Sequence, residues 1–200
     1  MKHILSRLIN HETISSEEAK QILINISKGN YNQSQIASFL TVFMMRSITL
    51  DELKGFRNAL LELYVPVDLS AYNPIDLCGT GGDGKDTFNI STLSSFVTAA
   101  AGIPVAKHGN YGVSSACGSS NVLESLGVTF SNDVDFLERA IASAGICVLH
   151  APLFHPAMKN IAPIRQSLGV KTFFNMLGPM VNPSAPKNTL RLRYMINFCK

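Results

Sequence analysis

Apolar positions recur at helical spacing three times within the first 66 residues, each time behind a polar cap. Ser15 stands three residues before Glu18, and Ala19, Ile22, Leu23 and Ile26 follow, with Gly29 as a stop. Asn32 and Gln35 open a second run carrying Ile36, Phe39, Leu40 and Phe43. Thr49 and Glu52 open a third, with Leu53, Phe56, Leu60 and Leu63. In each pair the first side chain accepts from a free amide at the helix start and the second reaches back to the cap's own amide. Three apolar faces on so small a unit must pack on one another and on something further, either the rest of the chain or a second copy.

Beyond a connector from Val65 to Pro74 the period changes. Ile75–Cys78 reads as a short apolar strand, 90–101 as a helix and Ile103–Ala106 as a strand. Helices over 114–126 and 133–144, the latter behind Asp133, and a strand over Ile146–Leu149 complete the series. Strands alternating with helices predict an α/β fold with a mainly parallel sheet. The expected organisation is a helical domain over 1–66 and an α/β domain over 74–200, with 154–180 packing back on the helical domain.

Hydrophobic residues make up 46% of the 200 and charged ones 16%, enough apolar surface for a core. No apolar run is long enough to span a membrane, and the start, with Lys2, Arg7 and Asn10, does not read as a signal segment. Cys78, Cys117, Cys147 and Cys199 are far apart, which predicts four buried reduced thiols in a cytoplasmic protein, not a zinc site. Charge is uneven. Residues 1–138 hold 9 Lys/Arg and all 14 Asp/Glu, a net of −5; residues 139–200 hold 8 Lys/Arg and no acid, +8. The basic residues are scattered and form no aromatic-basic stripe, which favours a small anionic ligand over nucleic acid.

The strand from Ile75 runs into Gly79-Thr80-Gly81-Gly82-Asp83-Gly84, and a polar helix start follows at Asn89-Ile90-Ser91-Thr92. Glycines let backbone amides approach phosphate oxygens, and the helix start adds free amides and the positive end of its dipole. Ser91 and Thr92 add hydroxyls, and Ser91 offers a hard cation an oxygen. The spacing is neither that of a Walker loop nor G-x-G-x-x-G. The competing reading is a plain tight strand-to-helix turn.

Two further stretches carry chemistry. Lys107-His108-Gly109-Asn110 follows the predicted strand, at the sheet end where α/β folds bind ligands. Lys107 suits a phosphate and Asn110 offers an acceptor for an amine; a surface lysine and a structural histidine are the plain alternatives. Arg165 is the one charge between Lys159 and Lys171, and its fork suits a planar carboxylate, although a lone arginine is usually a surface residue. Met158, Phe173 and Phe174 read as core.

Taken in order, the glycine loop with Asn89-Ile90-Ser91-Thr92, then Lys107-His108-Gly109-Asn110, then Arg165 through Leu177-Gly178-Pro179 to Asn182-Pro183 resemble the motifs of anthranilate phosphoribosyltransferases, from the N-terminal helices to about Pro186. The resemblance implies a nucleoside phosphorylase/phosphoribosyltransferase-like fold and transfer of a phosphoribosyl group from phosphoribosyl diphosphate to anthranilate, a step of tryptophan biosynthesis. It implies phosphoribosyl diphosphate on Gly79, Gly82, Asp83, Thr87, Asn89, Ile90, Ser91, Thr92, Lys107, Ser114, Ser115 and Ser119. It implies anthranilate on Gly79, His108, Asn110, Arg165 and Gly178. A magnesium ion on Ser91 and a homodimer through the N-terminal helices also follow from it. No residue is assigned as a catalytic base.

The family's later Asp-Glu metal pair has no counterpart, since no acid follows Glu138, and Thr189 to Lys200 do not resemble the family's continuation. A truncated or frame-shifted product with weak or lost turnover is expected on this ground. The alternatives are a non-catalytic phosphate-binding or dimerisation remnant and, less favoured, a nucleic-acid-binding relative.

Overall fold

The computed structural model describes residues 1–79, 88–112 and 117–192. They form two compact units, one from Met1–Tyr64 with His155–Leu177 and one from residues 65–154 with 178–192.

The first unit is helical. Its elements are α1 (Lys2–Ile9), α2 (Ser16–Ser27), α3 (Gln33–Met45) and α4 (Leu50–Leu63). Ser15, Asn32 and Thr49 each accept from the amide three residues on, and Glu18, Gln35 and Glu52 close the box, so all three predicted starts form. α1 was not anticipated from the sequence. Residues 155–177 complete this unit with a 3-10 turn at Pro156–Met158 and two short helices later in the chain, Ala162–Leu168 and Phe174–Leu177. Phe39, Phe43, Phe56 and Phe173 make edge-to-face contacts at 5.0–6.4 Å between centroids, and Phe173 stacks on both Phe56 and Phe174 at 4.5 Å. The aromatics read as core are therefore core.

Glu52 has a second task beyond its cap. It is fully buried, and it accepts from the amides of Ile14 (3.1 Å) and Thr49 (2.8 Å) and from both terminal nitrogens of Arg46 (2.5 and 3.2 Å). Burial pushes its carboxyl pKa up, but Arg46 and the two amides outweigh that and hold it below the usual value. A depressed carboxylate stabilises the fold above its unfolded pKa and loses that contribution as pH falls through the folded one. Glu52→Gln is expected to cost about 2 kcal/mol in urea unfolding, since Arg46 is left buried beside a neutral amide. A loss under about 0.5 kcal/mol would show the pair to be dispensable.

The second unit is built on a four-stranded parallel sheet of order β3-β2-β1-β4. The strands are β1 (Ile75–Gly79), β2 (Val105–Gly109), β3 (Ile146–His150) and β4 (Asn188–Leu192). Between them lie α5 (Ile90–Ala100), α6 (Ser119–Ser125), α7 (Val134–Ala144, capped by Asp133) and α8 (Ala151–Phe154). In chain order the two short helices of the first unit are then α9 (Ala162–Leu168) and α10 (Phe174–Leu177). One apolar cluster joins Leu137 and Ile141 of α7 to Ala106, Cys147, Leu149 and Phe154.

Several expectations are corrected. The second strand runs over 105–109, not 103–106, so Lys107, His108 and Gly109 are in it and do not follow it. This reach lets β2 pair with β3 over its whole length, from Val105 beside Ile146 to Gly109 beside His150. The helix expected over 114–126 is α6, starting at Ser119, with residues 113–116 outside the described ones. Residues 188–192 pair in parallel with β1, so the start of the terminal segment is sheet. Cys78 and Cys147 are buried thiols in no disulfide among the described residues, as expected, whereas Cys117 is exposed; Cys199 lies outside the described residues.

Candidate functional site

β1 ends at Gly79 beside the first turn of α5. A Cβ built on Gly79 would stand 3.3 Å from Ser91 Oγ, so strand end and helix start approach closely. Lys107, from the neighbouring β2, fills the space beneath. It is 1% exposed, and its Nζ donates to the Leu77 carbonyl at 2.8 Å and to Ser91 Oγ at 3.4 Å. Burial pushes the Lys107 ammonium's pKa down, partly opposed by the charges of Cys78 and Asp76. An ammonium whose hydrogen-bond partners among the described residues are two neutral oxygens attracts an anion to the carboxyl end of a parallel sheet.

Among the described residues, no side chain caps the start of α5. Asn89 makes no side-chain cap bond, and its Nδ2 instead donates to Cys117 Sγ at 3.9 Å. Thr92 is buried and its hydroxyl has no partner among the described residues. Gly82, Asp83, Thr87, Ser114 and Ser115 lie outside the described residues. Ile90 opens α5 at this point.

His108 is buried, and its amide donates to Oδ1 of the fully buried Asp76 at 3.1 Å. Its Nδ1 lies 3.0 Å from the Gly178 carbonyl, which requires Nδ1 to carry the proton. Gly178 thus stands against the end of β2. Asn182 Nδ2 donates to the Ala106 carbonyl at 3.0 Å, so the Gly178–Pro183 stretch is tied to the same strand at two points. Asn110 is exposed, and its Oδ1 already accepts from the Tyr111 amide at 2.8 Å, leaving one lone pair for a ligand. Ser119 Oγ donates to the Asn110 carbonyl at 3.4 Å.

Arg165 belongs to the helical unit and is buried, against the expectation for a lone arginine. Nε donates to Thr172 Oγ1 and Nη2 to Asn175 Oδ1, both at 3.1 Å, and the guanidinium lies 5.3 Å over the Phe174 ring. Burial lowers its pKa to about 10. It makes no ion pair among the described residues, which marks an uncompensated cation suited to a carboxylate.

Sequence reasoning passed over Asp76, His150, Asn121 and His155. His150 is buried between Phe130, stacked at 4.3 Å, and Tyr111, and its Nδ1 lies 2.9 Å from Ser120 Oγ. His155, in the helical unit, is buried and stacked on Tyr64 at 6.3 Å. The motif Phe154-His155-Pro156 was the available signal for the last; the others depend on contacts remote in sequence.

Magnesium does not fit the described residues alone. They contain no group of three or more His, Cys, Asp or Glu able to hold a metal, and Ser91 Oγ faces the Lys107 ammonium.

A parallel α/β unit with a buried lysine at the carboxyl end of its sheet, and a separate helical unit, define a class. The chain belongs to the glycosyl transferase family: the family's helical bundle domain matches residues 2–63 and its a/b domain residues 71–192. The match thus runs past Pro186 into β4, beyond the limit expected from the motifs. Among curated relatives, the anthranilate phosphoribosyltransferases of Flavobacterium psychrophilum and Cytophaga hutchinsonii are 78% and 61% identical over 190 and 186 residues. These cover 95% and 93% of this chain but 58% and 57% of the relatives. The chain therefore spans under two thirds of their length. Among solved structures, anthranilate phosphoribosyltransferase from Thermus thermophilus superposes with a TM-score of 0.81 at 36% identity, over 94% of this chain and 57% of that one. The Saccharomyces cerevisiae enzyme, in complex with PRPP and Mg, gives 0.81 at 27% identity, over 94% and 56%.

Proposed function

We propose that this chain binds phosphoribosyl diphosphate at the carboxyl end of its sheet and serves transfer of the phosphoribosyl group to anthranilate in tryptophan biosynthesis. The carrying observation is the buried Lys107 ammonium, aimed at the β1 end and the α5 start through Leu77 O and Ser91 Oγ. Gly79, Gly82, Asp83, Thr87, Asn89, Ile90, Ser91, Thr92, Ser114, Ser115 and Ser119 complete the phosphoribosyl diphosphate set. Gly79, His108, Asn110, Arg165 and Gly178 receive anthranilate, with the Arg165 fork on its carboxylate.

In the reaction the amine nitrogen forms a bond to the ribose carbon as the bond from that carbon to the diphosphate oxygen breaks, and the nitrogen sheds a proton. An aromatic amine is neutral at pH 7, so positioning and neutralisation of the departing charge dominate, and no side chain is assigned as base. Magnesium enters this reading as a companion of the diphosphate, supported by the PRPP and Mg complex of the yeast relative. A role for Ser91 as its ligand competes with the Lys107 contact.

A homodimer through the helical unit is part of the proposal. Ile9, Met45 and Leu50 are 61%, 80% and 67% exposed there, an apolar surface that a second copy would cover. A cytoplasmic location is supported by the buried thiols of Cys78 and Cys147, which form no disulfide among the described residues. No helix among the described residues is long and apolar enough to cross a membrane.

The test is calorimetric titration of the chain with phosphoribosyl diphosphate in magnesium buffer, followed by anthranilate fluorescence. Saturable heat supports the reading, and its absence in a folded sample overturns it. Arg165→Gln is expected to weaken anthranilate by about 30-fold and leave phosphoribosyl diphosphate within about twofold, because a charged hydrogen-bonding fork becomes a neutral amide. Equal loss for both ligands would show that Arg165 serves the fold and not the carboxylate.

A further inference from the structure

The turn that carries Asn110 is held by one side chain that no motif singles out. Asn121, in the first turn of α6, accepts from the Gly112 amide at 3.0 Å and from the Gly118 amide at 2.9 Å, both on Oδ1. Two backbone N–H groups facing one atom fix that atom as the oxygen. Asn121 thus holds Gly112 and Gly118 on one atom. The adjoining residues act on the same turn from the other side. The Asn110 carbonyl accepts from the Ser120 amide at 3.1 Å and from Ser119 Oγ at 3.4 Å. Backbone packing is tight here as well: a Cβ on Gly118 would collide with the Gly112 nitrogen, Tyr111 carbon and Asn110 oxygen, all under 3.0 Å. Ser120 is anchored in turn to the buried His150 at the end of β3.

We infer that Asn121 is a positioning residue for substrate: by holding the Gly112 and Gly118 amides on its single side-chain oxygen, it sets the Asn110 turn and the Ser119 hydroxyl for the phosphoribosyl ligand. This rests on the functional reading above. Asn121 itself does not touch the reacting atoms. A backbone loop held by one double acceptor loses both bonds when that acceptor goes, whereas a carboxylate of the same shape keeps them.

Three variants test it: Asn121→Leu, near in size without an acceptor; Asn121→Ala, should the leucine not fold; and Asn121→Asp, which keeps it. Two measurements are made on the full chain. The first is calorimetric affinity for phosphoribosyl diphosphate in magnesium buffer. The second is amide hydrogen exchange at Gly112 and Gly118 by NMR. The expected result is about tenfold or greater loss of affinity in the leucine or alanine variant, faster exchange at both glycines, and an aspartate variant within about threefold of wild type on both counts. A purely structural role would lower stability without rescue of affinity by aspartate. Wild-type affinity in Asn121→Leu overturns the positioning role, and unchanged exchange overturns the clamp. A wild type that binds no phosphoribosyl diphosphate overturns the functional reading and the substrate half of this inference, while exchange still decides whether Asn121 holds the turn.

Discussion

Lys107→Met is expected to weaken phosphoribosyl diphosphate binding about 100-fold, near 2.7 kcal/mol, while thermal stability stays level or rises. The two effects have one cause. The Lys107 ammonium is buried, its hydrogen-bond partners among the described residues are Leu77 O and Ser91 Oγ, and its desolvation cost outweighs the opposing charges of Cys78 and Asp76. Methionine fills the same volume and carries no charge. The ligand's phosphates would supply the missing counter-charge, and methionine has nothing to offer them. The pH dependence carries a definite sign. Burial lowers the folded pKa below the ordinary 10.5, so between the two values the unfolded chain binds more protons and stability rises with pH. The penalty is complete below the folded pKa and fades as pH climbs toward 10.5. The gap in melting temperature between Lys107→Met and wild type should therefore narrow on the alkaline side. Ligand affinity of the wild type should fall over the same range, because the anion favours the charged form. Calorimetric titration and thermal melts across neutral to alkaline pH check both. A methionine variant that binds as tightly as wild type would remove Lys107 from the site.

How much of this could be read from the chain follows from where each interaction lies in sequence. The capping pairs Ser15/Glu18, Asn32/Gln35 and Thr49/Glu52 are local, and the three helices start where those pairs place them. The glycine-rich stretch after β1 is equally local, as is Asp133 ahead of α7. The second strand is expected to end three residues too early because its carboxyl end holds Lys107 and His108, which break the apolar run expected of a buried parallel strand. Their polarity is compensated from far away, by Leu77 O, Asp76 and Gly178. β4 offers only Leu190 and Leu192 among polar neighbours, and its assignment depends on pairing with a strand over a hundred residues earlier. Arg165 is the clearest case. Nothing adjacent announces burial, and its partners Thr172 and Asn175 are ordinary polar residues until the chain turns back on itself. Lys107 and His108, polar positions that contradict the local pattern, lie together at the carboxyl end of β2, as expected where a fold gives up local consistency for ligand binding.

Gly55→Ala is expected to destabilise the helical unit by about 3 kcal/mol or more, lowering the melting temperature by roughly 6–12 °C in a chain of this size. Helix propensity alone predicts the opposite. Gly55 is in the interior of α4, where alanine would normally gain about 1 kcal/mol. The sign reverses because of what the missing Cβ makes room for. Built on this backbone, it would collide with the Ser16 carbonyl oxygen and with Ala19 Cβ, both nearer than 3.0 Å. The first is backbone at the start of α2 and cannot swing aside like a flexible side chain. Relief requires α2 and α4 to separate, and that loosens the face on which Ala19, Ile22, Leu23, Ala59 and Leu60 are buried. Separation would also strain the Ile14 amide bond to Glu52, since Ile14 leads into α2 and Glu52 lies on the first turn of α4. Urea and thermal unfolding of the single variant decide the matter. A gain in stability, the outcome expected of an exposed helical glycine, would show that the two helices are free to move apart.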